Sequence, residues 1–236
     1  MLIRLGIGFT VALVILVLAA VWSYRDVAIW PQVGEKVVAL TFDDGPNPPH
    51  TQALLRELES AQVSATFFMK GANAEAFPEL VRAVAAAGHE VGNHSFYHRP
   101  MLALGSAAYV EELQRTNRAL ESALGYLPHL FRPPYGLQGI GLTNALKKLE
   151  LRSIAMGVHG SDWSEKDAGL ITDAILADIK PGAIVLLHDG HADVADPDAQ
   201  DSRAATVAAT RALIVALRAD GYRFLTVSEL LALEQQ

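Results

Sequence analysis

Short apolar runs rich in β-branched and aromatic residues alternate along the chain with longer segments whose apolar positions recur every three or four residues. The short runs are VVALTF (37–42), ATFFM (65–69), HEVGN (89–93), HLF (129–131), LRSIAMG (151–157), AIVLLH (183–188) and YRFLTV (222–227). The helical patterns are TQALLRELESA from residue 51, ELVRAVAAAG from 79, AAYVEELQRTNRALESALG from 107, AGLITDAILADI from 168 and AATVAATRALIVALRADG from 204. Strand followed by helix, about seven times over, predicts a parallel α/β barrel or a doubly wound sheet. In both architectures the chemistry gathers where strands end and loops begin. The unusual polar residues fall there: Asp43 and Asp44 end the first run, His94 and His98 follow the third, Arg132 the fourth and Asp162 the fifth, and His188 ends the sixth. The long polar segment at 189–203 reads as a loop.

The first residues follow a different pattern. LGIGFTVALVILVLAAVW (5–22) carries no charge and lies between Arg4 and Arg25, close to the ~20 apolar residues that span a bilayer. It predicts an N-terminal transmembrane signal-anchor over residues 1–24. The other reading is a cleavable signal peptide with small residues at Ala19 and Ala20. Either way the positive end stays inside and the rest is exported, membrane-anchored or secreted. Residues 25–34 then read as a linker and 35–236 as one globular domain, since 236 residues with 51% hydrophobic content suffice for a packed core.

Charge and cysteine content narrow the chemistry. A net charge of −7 and a pI near 5.6 give no basic field for nucleic acid. With no cysteine, thiolate metal sites and thiol nucleophiles are excluded, and a metal must be held by His, Asp or Glu.

TFDDGPNPP (41–49) sets two carboxylates side by side before a Gly-Pro turn. Adjacent carboxylates repel and are costly to bury, so a nearby cation is the natural reason for the pair. HSFYH (94–98) spaces two imidazoles four apart, a spacing as common among surface or core histidines as among ligands; with one aspartate they would form a three-ligand set that leaves a coordination position open. The second aspartate then stays available to take a proton from water. The plainer reading is an Asp-Gly-Pro turn in which both carboxylates cap backbone groups, which leaves the histidines unexplained. RPPYG (132–136) offers a guanidinium beside the free carboxylate and a backbone N–H in a rigid turn for an oxyanion, or else a Pro-rich loop with a solvated arginine. SDW (161–163) places a carboxylate beside an aromatic wall, and a histidine such as His188 paired with Asp162 has a raised pKa suited to protonating a leaving amine. A strand-end histidine with a structural role is the alternative.

TFDDGPN, HSFYH, RPPYG, DW and LLHD, in this order, resemble the five motifs of the NodB-homology polysaccharide deacetylases, carbohydrate esterase family 4. ATFFMKG and GHEVGNH extend the similarity, which covers roughly residues 35–230. The resemblance implies a distorted (β/α)7-type barrel and a metal-dependent removal of N-acetyl groups from the amino sugars of a glycan. Peptidoglycan, a chitin oligosaccharide and an exopolysaccharide all stay open as substrates. It implies Asp43 as general base, Asp44, His94 and His98 as ligands of a divalent metal (zinc first, with cobalt, manganese or nickel as alternatives), and Arg132 orienting Asp43. The Tyr135 backbone N–H would face the oxyanion, Asp162 would tune His188 as general acid, and Pro134, Tyr135, Trp163 and Leu186 would contact substrate. The departure is His159, where an aspartate commonly stands three residues before Asp162. Two other functions compete: deacetylation or deformylation of a lipid-linked sugar, and glycan binding without catalysis.

Overall fold

The computed structural model describes residues 28–29, 31, 33–102, 104–191 and 203–233. The apolar stretch at 5–22 and most of the polar loop at 189–203 lie outside them; among the described residues no helix is long and apolar enough to cross a membrane.

The described strands are β1 (Ala28–Ile29), β2 (Val37–Asp43), β3 (Thr66–Met69), β4 (Glu90–Asn93), β5 (Leu130–Phe131), β6 (Arg152–Ile154), β7 (Ala183–His188) and β8 (Arg223–Phe224). They pair only in parallel, in the order β1-β6-β5-β4-β3-β2-β7, with β8 beside the start of β2. The sheet curves into a half-barrel rather than a fully paired one. Among the described residues its two sides meet only where Val158, after β6, bridges Val185 of β7.

All seven strand-like runs of the sequence contain strands, and the strand that the pattern missed is β1. It lies in the expected linker and pairs with Ser153 and Ile154, so the sheet begins before residue 35. Two residues are too few to show an alternation.

The helices are α1 (His50–Ala61), α2 (Gly71–Ala76), α3 (Pro78–Ala86), α4 (Ser106–Leu124), α5 (Leu142–Leu149), α6 (Ala168–Asp178), α7 (Ala204–Ala219) and α8 (Val227–Leu233). Their ends follow local chemistry. Pro78 opens α3 at a position where a missing N–H costs nothing, and Gly125 closes α4 with a φ of 78°. Asp167 caps α6 by accepting from the Gly169 and Leu170 N–H groups.

Strand alternation places the chemistry. In β2, Val38, Leu40 and Phe42 belong to the large core under the helices, while Val37 and Ala39 belong to a second core inside the half-barrel with Phe68, Leu130, Ile154 and Ile184. Leu230 and Leu231 of α8 pack into that inner core. The inward parity of β2 therefore continues through Thr41 to Asp43, and that of β7 from Ile184 through Leu186 to His188. Asp43 and His188 are register partners across β2 and β7. The inner face is apolar at one end and ionisable at the other.

Candidate active site and metal centre

Asp43 and Asp44 are both buried, at 3% and 2% exposure. The backbone separates them. Asp44 has a φ of 76°, a left-handed conformation that is uncommon outside glycine and clusters at functional sites. Asp43 accepts from Arg132 Nη1 at 2.8 Å, and the same nitrogen donates to Thr41 Oγ1 at 2.7 Å. The Arg132 guanidinium is fully buried and lies 4.2 Å from the centre of the Phe68 ring, so Asp43 has a fixed counter-charge.

Asp44 turns toward both histidines, while the other oxygen of Asp43, Oδ2, also lies 3.7 Å from His94 Nε2. Asp44 Oδ1 lies 3.7 Å from His94 Nε2 and 3.4 Å from His98 Nε2, and one ligand atom from each of Asp44, His94 and His98 falls within 4.8 Å of the others. His94 Nδ1 meets the Arg132 carbonyl at 2.8 Å. A carbonyl only accepts, so Nδ1 carries the proton and Nε2 presents its lone pair to Asp44. Burial, with His98 beside it, pushes His94 far below the ordinary histidine range; burial also lowers His98. Burial opposes the charge on Asp44, but His98, His94, His188 and Lys70 outweigh it and hold the carboxyl below its usual range.

Three candidate ligand atoms converge, and among the described residues the buried Asp44 Oδ1 has no hydrogen-bond partner. Such an atom is costly unless a cation takes it. The donor set fits a divalent metal of the kind held by nitrogen and oxygen.

Across the mouth, Asp162 is fully buried and His188 partly so. His188 Nδ1 donates to Asp162 Oδ1 at 2.8 Å, and the His188 backbone N–H donates to Oδ2 at 2.9 Å. Burial alone would lower His188, but Asp162, with Asp44 and Asp43 behind it, raises it above the ordinary histidine range. Burial opposes the charge on Asp162, and His188, Arg203 and Thr206 reverse that effect.

The space between these groups is a cleft of about 430 Å³ whose lining includes Asp43, Asp44, His98, Pro133, Tyr135, Met156, Trp163, Leu186 and His188. Of the expected site residues, Asp43, Asp44, His98, Tyr135, Trp163, Leu186 and His188 line it, while His94, Arg132 and Asp162 lie buried behind Asp44, Asp43 and His188. Pro134, expected against the substrate, is buried in the 3-10 turn Pro134–Gly136, and Pro133 lines the cleft. Tyr135 sits in that turn at a φ of 57°, half exposed, with its ring 4.5 Å from that of His98. His159 is exposed at the rim, 4.8 Å from the Trp163 ring, which in turn stands edge-on to His188.

Other buried polar residues complete the mouth. Asp189, fully buried, accepts from Thr51 Oγ1 at 2.6 Å, and burial pushes its carboxyl up to about 7. The two Asp-Gly pairs interlock. A Cβ on Gly45 would lie 2.2 Å from the Asp189 carboxylate, and one on Gly190 would lie 2.2 Å from the Asp44 carbonyl, so each close approach requires glycine. Lys70, at 2% exposure, donates to the His191 carbonyl while its backbone N–H donates to Gly45. The sequence reading missed Lys70, Thr51, Asp189 and Arg203. Of these, Asp189 alone had a signal, its place in LLHDG. His89 and Asn93 are supports: His89 accepts from the Ala65 N–H, and Asn93 donates to Leu113 and Asn117.

Comparison with known proteins agrees with this geometry. Residues 31–154 match the family model for polysaccharide deacetylase. The chain is 39% identical over 193 residues to the chitooligosaccharide deacetylase of Sinorhizobium fredii (strain NBRC 101917 / NGR234), covering 80% of this chain and 89% of that one. It is 33% identical to the peptidoglycan-N-acetylglucosamine deacetylase PgdA of Listeria monocytogenes (serotype 1/2a, strain 10403S), covering 83% of this chain and 39% of the larger relative. The solved structure of peptidoglycan deacetylase PdaC from Bacillus subtilis superposes with a TM-score of 0.75 at 30% identity, covering 86% of this chain and 93% of that one. Family match, sequence relatives and fold agree: the chain belongs to the polysaccharide deacetylase family.

Proposed function

We propose that the protein is a metal-dependent hydrolase that removes N-acetyl groups from the amino sugars of an envelope or extracellular glycan, releasing acetate. The observation that carries this reading is the pairing of one three-ligand cluster with a separately held carboxylate and a separately held histidine around one cleft. The relatives named chitooligosaccharide and peptidoglycan deacetylases support an N-acetylglucosamine-containing substrate.

Asp44, His94 and His98 would hold the metal, most simply zinc. Bound there, it supplies Lewis-acid polarisation beside the scissile amide. Asp43, held by Arg132, is placed to take a proton from the attacking water. The Tyr135 backbone N–H, presented by the left-handed turn, is assigned to the amide oxygen as charge develops on it. His188, protonated and oriented by Asp162, gives a proton to the departing amine. Leu186 and Trp163 form the apolar wall against the acetyl group, and Pro133 lies in the same lining.

The uncharged stretch at 5–22 supports export, with a retained membrane anchor, a short linker and the catalytic domain outside the cytoplasm. Washed membranes from expressing cells are expected to keep the full-length chain, while a chain lacking residues 1–24 is not retained; equal partition of the two would overturn the anchor.

Asp43→Asn is expected to bind metal like the wild type while losing turnover by at least about 10²-fold. His98→Ala is expected to lose both metal and turnover. Metal analysis and acetate release on the same samples check this, and full activity in either variant contradicts the assignment.

The raised pKa of His188 sets a pH dependence. A protonated acid is lost as pH rises through its pKa, so it defines the alkaline limb of kcat. Asp162→Asn removes the charge that raises that pKa. The limb is therefore expected to move to lower pH, with kcat reduced throughout; a limb that stays in place would separate Asp162 from the acid.

A further inference from the structure

The acid pair stands where the sheet is weakest. Asp162 lies in the loop after β6, and His188 ends β7. Among the described residues the sheet offers only the bridge of Val158 with Val185 between these two elements. Backbone pairing therefore does not fix the height and direction of one loop against the other above that bridge. Something else must, because the hydrogen bond from His188 Nδ1 to Asp162 is 2.8 Å long and the carboxylate has no freedom to follow a drifting ring.

The first turn of α7 makes those contacts. Arg203 is buried at 3% exposure, and its planar fork reaches both loops. Nε donates to the Gly190 carbonyl at 2.7 Å, Nη1 to the Asp162 carbonyl at 2.8 Å, and Nη2 to His191 Nδ1 at 3.4 Å. One turn on, fully buried Thr206 donates Oγ1–H to Asp162 Oδ2 at 2.9 Å. Oδ2 also accepts from the His188 backbone N–H, so the carboxylate is bonded at both oxygens and its plane is fixed. Residues three apart on a helix share a face, which is why one turn delivers both groups.

We infer that Arg203 and Thr206 form a positioning clamp for the acid pair, replacing across the seam of the half-barrel the sheet pairing that is missing there. Arg203 ties the two loops together, and Thr206 sets the orientation and basicity of the Asp162 carboxylate. Neither is a catalytic residue. The role of the clamp in turnover rests on the deacetylase reading; its effect on His188 does not.

The sign of that effect follows from the charges. A hydroxyl donated to Oδ2 draws charge from the carboxylate, so its removal makes Asp162 more basic and His188 holds its proton more tightly. The other ionisable groups around His188 are Asp43, Asp44 and Asp189, with His98, Lys70 and Arg203. All are unchanged in a threonine variant.

The experiment uses the zinc-loaded full-length protein with histidine rings labelled for NMR, the His188 signal being assigned by its loss in His188→Gln. Thr206→Val, of nearly the same shape, is expected to raise the His188 titration midpoint by about half a pH unit, and the alkaline limb of acetate release is expected to follow it. Thr206→Ser, which keeps the hydroxyl, is expected to behave like the wild type. Arg203→Lys keeps the charge but not the fork, and is expected to lower kcat by about tenfold at every pH with the limb in place. An unmoved midpoint in Thr206→Val, an equal shift in Thr206→Ser, or wild-type kcat in Arg203→Lys overturns the clamp. A shifted midpoint in protein that releases no acetate upholds the positioning of His188 and counts against the deacetylase reading alone.

Discussion

Two carboxylates side by side in a buried mouth are the constraint around which the rest of the site is arranged. Asp43 and Asp44 cannot both be ionised there without nearby positive charge. Beside the left-handed backbone at Asp44, Asp43 meets Arg132 and Asp44 meets His98, with His94 Nε2 3.7 Å from each carboxylate. Arg132, fully buried, holds Asp43. Asp44 faces two imidazoles whose pKa burial lowers, and among the described residues its Oδ1 has no hydrogen-bond partner. The chain itself gives Asp43 its counter-charge, whereas the donor set around Asp44 fits a cation. That asymmetry underlies the roles proposed for them, one as base and one as ligand.

The fold supplies this arrangement through strand parity and strand ends. Inward positions of β2 and β7 run from the apolar inner core to Asp43 and His188, which are register partners at the mouth. The interlocked Asp44-Gly45 and Asp189-Gly190 turns hold these two strand ends against each other at distances that no side chain on the glycines would permit. The opposite side of the mouth lacks continuous pairing, and there buried side chains of α7 take over. Sheet, turns and helix each fix a different edge of one cleft.

How much of this was legible in the sequence depended on the range of the interaction. Apolar runs showed β2 to β8 because alternation and length are local signals, although the last run extended too far: Val227 begins α8 rather than ending a strand. Three helices were not read. α2 is six residues long, α5 is eight, and α8 follows directly on β8, so none offers a long periodic window. The catalytic motifs were legible because their residues lie at strand ends and in short unusual combinations. Arg203 and Thr206 were not, because in sequence they resemble any start of an alanine-rich helix. Their partner Asp162 lies 41 and 44 residues away. Lys70 failed for the same reason, its partner carbonyl being 121 residues distant. Pro134 was misplaced because the handedness of the RPPYG turn decides which proline faces the cleft, and sequence does not display it.

The most direct measurement is acetate release by the full-length protein from N-acetylglucosamine oligomers and from peptidoglycan, before chelation, after it, and after zinc or cobalt is returned. The account predicts release of acetate with formation of a free amino sugar, lost on chelation and restored by the metal. Protein that holds one metal ion per chain and releases no acetate from any acetylated glycan would contradict it.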